Sequence, residues 1–187
     1  MSTHDKTVLI VGSGIAGSSL AYQLAKRNYQ VTLLDENNKD EIEIFKNKAA
    51  IISPHFMLNN PKYNSLMNMA SKYAYDLTGE FNYSKKDAVM EGVIKLYDND
   101  VADRLIKNIL SITLEKTDFK YLSKDLIKKK YDIDNKVGIY FKYGGWVSPH
   151  KICSRLIKHK NIKFIPKRKV KEIAYGEKLW LVYCQDS

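Results

Sequence analysis

The sequence predicts an α/β fold, in which a parallel βαβ unit at the N-terminus is followed by a mixed α+β region and by β-type runs that end in an antiparallel hairpin. Three observations predict it. An apolar run, a glycine-rich turn, a helical stretch and a second apolar run follow one another within residues 7–35. The middle of the chain mixes helical spacings with short β-type runs. The last runs, Ile162–Ile165, Val170–Tyr175 and Leu179–Tyr183, are β-type, and Gly176-Glu177 joins the final two.

Each element has its own reason. Thr7–Val11 (TVLIV) is continuously apolar, as a strand covered on both faces must be. Gly12-Ser13-Gly14-Ile15-Ala16-Gly17 follows at once, and Ser18–Arg27 then reads as a helix with Leu20, Ala21 and Leu24 on its apolar face, closed by Asn28. Val31–Leu34 is the second strand and ends in Asp35-Glu36. The polar stretch Asn37–Asn47 reads as a loop around Ile42, Ile44 and Phe45, and Ala49–Ile52 is a small apolar patch. Tyr63–Thr78 repeats apolar residues at Leu66, Met69, Tyr73 and Leu77, a helical period. Gly92–Tyr97 reads as a strand and Val101–Ile112 as a helix. Ser123 is a natural N-cap for a short helix through Lys130. Val137–Tyr143 is strand-like and Gly144-Gly145 breaks it. Pro149 opens a helix to about His159, since proline costs nothing in a first turn. Ile152, Leu156 and Ile157 form its stripe. The expected divisions are 1–58, 59–141 and 142–187.

The chain has 187 residues, 44% hydrophobic and 28% charged, an ordinary globular balance that excludes wholesale disorder. No apolar run reaches the roughly 18–20 residues of a membrane helix, and the short polar start, Met1–Lys6, does not read as a signal peptide. Cys153 and Cys184 lie in no redox or metal spacing, which fits a reducing, cytoplasmic setting. The four histidines, His4, His55, His150 and His159, show no metal-binding pattern, so no metal is expected. The net charge is +10 and the pI near 9.4. From Arg104 to Lys171 there are 19 Lys and Arg against 5 Asp and Glu. Such a run suits a polyanion, nucleic acid first, although charge alone favours a solvated basic surface.

The first 35 residues carry the sharpest chemistry. In a strand–turn–helix of this kind Gly12 allows the tight turn, Gly14 lets the backbone approach a pyrophosphate, and Gly17 lets the helix lie close to the strand. The intervening Ser13, Ile15 and Ala16 supply backbone N–H groups at the helix N-terminus, where the helix dipole favours phosphate. Asp35, beside Glu36, ends the second strand 18 residues after Gly17, where a carboxylate accepts hydrogen bonds from a ribose and repels a 2′-phosphate. This is a Rossmann-type dinucleotide unit. The pattern alone does not separate FAD from NAD.

Three segments together carry a family resemblance. They are Val8–Asp35, Lys46–Phe56 (KNKAAIISPHF) with Asn47, Lys48 and Pro54, and Val137–Ile152 with Gly138, Tyr140, Gly144, Gly145, Trp146 and Pro149. The chain resembles the D-amino-acid-oxidase-like FAD-dependent oxidoreductases. Within them it is most similar to the FAD-dependent domain of the bacterial enzymes that modify the tRNA wobble uridine. Ala50 stands where the family carries glycine, and Ile44-Phe45 where it carries small residues.

The resemblance implies a Rossmann-type FAD-binding domain with an inserted α+β substrate region, its C-terminal part missing, because complete domains of the family run to nearly twice this length. No methyltransferase domain is expected ahead of the first strand. The resemblance also implies FAD as cofactor, with Gly12, Gly14 and Gly17 at the pyrophosphate and Asp35 at the ribose. Asn47 and Lys48 would then lie near the flavin, and Gly144, Gly145 and Trp146 on the substrate side. The implied reaction is oxidative removal of the carboxymethyl group from 5-carboxymethylaminomethyluridine 34 of tRNA, with the Lys-rich residues after 104 meeting tRNA phosphates. Two alternatives stay open: a small-molecule amine such as glycine or sarcosine as substrate, or a non-catalytic nucleotide- or tRNA-binding fragment. No catalytic side chain is singled out.

Overall fold

The computed structural model describes residues 6–38, 47–111, 118–177 and 179–185. Ile44, Phe45, His4 and Ile112 lie outside the described residues, and with them most of the expected 37–47 loop. The chain divides into two compact units, residues 1–49 with 148–187, and residues 50–147. The divisions therefore fall after 49 and 147, where the sequence reading put them after 58 and 141. The reason is strand pairing: Ala50–Ile52 and Gly145–Val147 are partners in one sheet of the second unit.

In the first unit, β1 (Thr7–Val11), α1 (Ile15–Lys26) and β2 (Gln30–Leu34) form a βαβ unit, with β1 and β2 parallel from Thr7↔Gln30 to Val11↔Leu34. On the far side of β2 runs β9 (Ile162–Ile165), again parallel. Among the described residues the sheet order is β1-β2-β9, with β1 at its edge. Central β2 buries Val31, Leu33 and Leu34. Helix α1 begins at Ile15, three residues earlier than the sequence reading placed it. Its buried face is Ser18, Ala21 and Ala25, whereas Leu20 points to solvent. Small side chains at these positions let the helix lie close to Ile10, Val31 and Leu33. Of the expected face, Ala21 is buried and Leu24 packs against the same core, and only Leu20 falls outside it. Asn28 ends the helix with a left-handed φ of 64°. Helix α5 (Pro149–Leu156) packs beside α1, and β10 (Val170–Gly176) and β11 (Leu179–Cys184) form the antiparallel hairpin.

Among the described residues the second unit holds two antiparallel sheets. In one, β8 (Gly145–Val147) lies between β3 (Ala50–Ile52) and β4 (Ala88–Val89). Gly145 is therefore inside a strand, although the sequence reading took it as a break. A Cβ there would stand 2.0 Å from the Val89 carbonyl oxygen, so glycine lets the two strands approach. In the other sheet, β7 (Val137–Phe141) lies between β5 (Val93–Tyr97) and β6 (Phe119–Leu122). Helix α3 (Asn99–Ser111) covers one face, packing Ala102, Leu105 and Ile109 on Val137, Ile139 and Phe141. Helix α4 (Lys124–Tyr131), capped by the Ser123 hydroxyl accepting the Leu126 N–H, covers part of the other face. Helix α2 (Pro61–Glu80) starts at the Asn60 cap. Its expected stripe is corrected by the structure. Leu66, Met69 and Tyr73 are exposed, and the buried residues are Asn64, Ser71, Leu77 and Thr78. Asn64 explains part of this, because its side chain accepts the Met57 N–H at 2.7 Å and donates to the Met57 carbonyl at 2.8 Å.

Candidate functional site

The turn between β1 and α1 is built by its three glycines. Gly12 adopts a φ of +93°, open to glycine at little cost, while its N–H still donates to the Leu34 carbonyl at 2.7 Å. Gly14 is the N-cap residue of α1, offers no capping side chain, and has open space where a Cβ would stand. The first turn of α1 carries no acidic residue. Its backbone N–H groups thus face a space with room for an anion and no carboxylate to repel it. Gly17 is packed hard. A Cβ there would lie 1.8 Å from the Gly12 carbonyl oxygen, so the helix can approach the turn only over glycine.

Asp35 closes the site from the end of β2. It is buried, and its Oδ2 accepts from the Ser13 N–H at 2.6 Å and the Ser13 hydroxyl at 2.8 Å. Its Oδ1 accepts from the Asn37 N–H at 2.9 Å. Asp35 therefore fixes the glycine turn from within. Ser13, expected to offer its N–H to phosphate, gives it to Asp35 and is itself almost fully buried. The polar chain continues inward. The Ser18 hydroxyl donates to the Ser13 carbonyl at 2.7 Å, and Ser18 is also hydrogen-bonded to Cys153 on α5. Burial pushes the Cys153 thiol up, and the Ser18 hydrogen bond partly opposes this.

The loop after β9 adds residues that the sequence reading missed. The Arg168 N–H donates to the Asp35 carbonyl at 2.7 Å, and Lys169 lies 3.5 Å from the Glu36 carboxylate. Together with Val11, Gly12, Asn37 and Val170 these residues line a pocket of about 250 Å³. The only sequence signal for them is the basic run Lys167-Arg168-Lys169. Glu36 is exposed at the rim.

The structure brings Gly12–Gly17, Asp35 and Glu36 together. Asn47 and Lys48 are exposed, irregular backbone ahead of β3. In the second unit Gly144 and Gly145 are buried, and Trp146 is half-buried in β8 opposite Ile51 and Val89. Among the described residues no three His, Cys, Asp or Glu side chains group as metal ligands, and no helix is long and apolar enough to cross a membrane.

A glycine-cradled helix N-terminus with an acid at the end of the second strand defines a dinucleotide-binding α/β protein. Residues 7–187 match the family described as DAO, FAD dependent oxidoreductase, and the chain belongs to that family. It is 26% identical over 187 residues to the tRNA 5-methylaminomethyl-2-thiouridine biosynthesis bifunctional protein MnmC of Legionella pneumophila (strain Lens), covering 97% of this chain and 28% of the relative. The chain thus spans under a third of the length of the curated relatives it matches. Among solved structures it is similar to glycine oxidase from Geobacillus kaustophilus, with TM-score 0.69, 17% identity, 96% of this chain and 51% of that one. It is also similar to fructosyl peptide oxidase from E. terrenum, with TM-score 0.70, 19% identity, 95% of this chain and 44% of that one. These two likenesses concern the fold.

The residues present fit FAD. Open space over Gly14 leaves room for a pyrophosphate against the α1 N-terminus. The pocket of about 250 Å³ beside Asp35, Glu36 and Val170 adds open space at the end of β2.

Proposed function

We propose that this chain carries the FAD-binding region of an amine oxidoreductase whose substrate is the carboxymethylaminomethyl side chain of uridine 34 in tRNA. The observation that carries it is the Gly12–Gly17 turn, closed from within by Asp35, in a chain that belongs to the FAD-dependent oxidoreductases. When bound, FAD supplies the acceptor for the two electrons leaving the carbon beside the amine nitrogen. The residues of the chain hold it: the α1 N-terminus takes the pyrophosphate, the Asp35 side chain keeps the turn in shape, and Glu36 with Val170 borders the adenosine. Water then adds to the oxidised carbon and the C–N bond breaks, releasing the two-carbon unit as glyoxylate and leaving the aminomethyl group on the uridine.

The tRNA substrate is supported by the similarity to MnmC, a tRNA 5-methylaminomethyl-2-thiouridine biosynthesis protein, and by the basic run after residue 104. It sets the reaction in the cytoplasm. The test is the visible spectrum of the purified chain, then release and identification of the flavin, then incubation with tRNA carrying the carboxymethylaminomethyl group. A flavin spectrum, released FAD and loss of the carboxymethyl group are expected. Turnover of glycine or sarcosine without tRNA would move the substrate to small amines. A colourless chain that takes up no added FAD would overturn the proposal.

A further inference from the structure

A second cavity lies within residues 50–147. It is an open groove of about 760 Å³ between α4 and the outer face of the β5–β7–β6 sheet. Its shape follows from two glycines. At Gly138, in the centre of β7, a Cβ would meet Ile127 of α4 at 2.9 Å and Ile94 at 3.1 Å, so the helix lies down on the sheet there. Two residues on, Tyr140 emerges on the same face. Its ring fills the space beside Gly92, where a Cβ would lie 2.2 Å from it, and its hydroxyl donates to the Glu91 carbonyl at 3.0 Å. Trp146, half-buried in β8, also lines the groove. The walls therefore carry three aromatic side chains, Tyr131, Tyr140 and Trp146, and the Tyr140 ring is held in place by its neighbours.

The rim is basic in a selective way. Lys120 stands opposite Tyr140 in the β6–β7 register and so on the same face, and Lys130 comes from the last turn of α4. Both line the groove, and among the described residues neither has a carboxylate partner. Their neighbours are engaged: Lys128 pairs with Asp132 and Asp134, and Lys136 with Asp98. The one acid on the groove, Glu91, lies 3.4 Å from Lys85. An apolar, aromatic interior with cations only at the edge, neither paired with a carboxylate and Lys130 lying 5.5 Å from the centre of the Tyr131 ring, suits a flat ring bearing a phosphate outside it. It does not suit a free amino acid, whose carboxylate would need a cation inside.

We propose that this groove binds one nucleotide of an RNA strand, with the base against Trp146 and Tyr140 and the phosphate between Lys120 and Lys130. It rests on the reading above in taking RNA as the substrate, and it assigns the RNA-reading surface to the second unit.

The test needs no flavin. Trp146 and Trp180 are the two tryptophans, so Trp180→Phe leaves Trp146 as sole reporter. Titration of that variant with oligouridylate is expected to quench Trp146 fluorescence to saturation. Adding Lys120→Glu and Lys130→Glu, both exposed positions, should weaken binding at least tenfold and flatten its salt dependence. Tyr140→Leu should weaken it with the salt dependence unchanged. Heparin is the polyanion control and should leave Trp146 unquenched. No quenching by oligouridylate, or equal quenching by heparin, would overturn the nucleotide site. A colourless chain that still quenches would remove the proposed oxidoreductase function and keep this site. A flavin-bearing chain that oxidises small amines without quenching would do the reverse.

Discussion

The α carbon of Gly17 sits directly over the carbonyl of Gly12, so close that a methyl group on it would stand 1.8 Å from the carbonyl oxygen. Gly14, between them, faces open space. The two positions therefore separate folding from binding. Gly17→Ala should force α1 off β1 and lower stability by about 3 kcal/mol in urea denaturation. Gly14→Ala should cost only about 0.5–1 kcal/mol, the ordinary difference at an N-cap, yet weaken FAD at least tenfold by filling the space over the helix N-terminus. Wild-type FAD affinity in the Gly14 variant would remove the turn as the pyrophosphate seat.

Asp35 accepts three short hydrogen bonds in a buried position, two from Ser13 and one from Asn37. In Asp35→Asn an amide NH₂ must face one of these donors. The expected loss is about 1–3 kcal/mol, with weaker FAD binding as the turn loosens. Parallel denaturation and flavin titration check both effects; an unchanged midpoint would show that the network is not structural.

Cys153 predicts a pH dependence. Burial raises its thiol pKa in the folded chain above the ordinary value of 9.0. Below 9.0 both states hold the proton. Above it the unfolded chain releases the proton first, so stability falls as pH rises from 9.0 toward the folded value. Cys153→Ala should abolish this part of the alkaline loss, measured as the difference in denaturation midpoint between pH 8 and pH 10. In the native chain a thiol reagent should label Cys184 and spare Cys153, which is 1% exposed.

Gly145→Ala should break the second unit. Its Cβ would meet the Val89 carbonyl oxygen at 2.0 Å and the Met90 Cα at 2.8 Å, both backbone atoms. A loss of about 3 kcal/mol is expected. Gly144→Ala, with its nearest neighbour at 3.0 Å, should cost less. Equal effects of the two would contradict the strand geometry. Hydrogen exchange at Val89 and Val147 reports on the same sheet.

The first βαβ unit was legible because its signals are local. Glycine spacing, a continuous apolar strand and a terminal acid all lie within 30 residues of one another. The part of the site that was not legible is non-local. Arg168, Lys169 and Val170 reach Asp35 and Glu36 because β9 pairs with β2, a relation no short window contains. Helix α2 misled for another reason. Its apolar period through Leu66, Met69 and Tyr73 is real, but Asn64, Ser71 and Thr78 occupy the buried side. The two-residue strand β4 and the four-residue strand β6 (FKYL) are too short to show a pattern that can be read.

Because β1 pairs with β2 alone among the described strands, its other side presents unmatched amide and carbonyl groups next to the exposed Leu9 and Val11. A bare edge of this kind is a template for another polypeptide. The purified chain will therefore self-associate as its concentration rises, and charge repulsion from an excess of ten cations is the force that opposes it. Salt, which weakens that repulsion, should lower the concentration at which the solution turns cloudy.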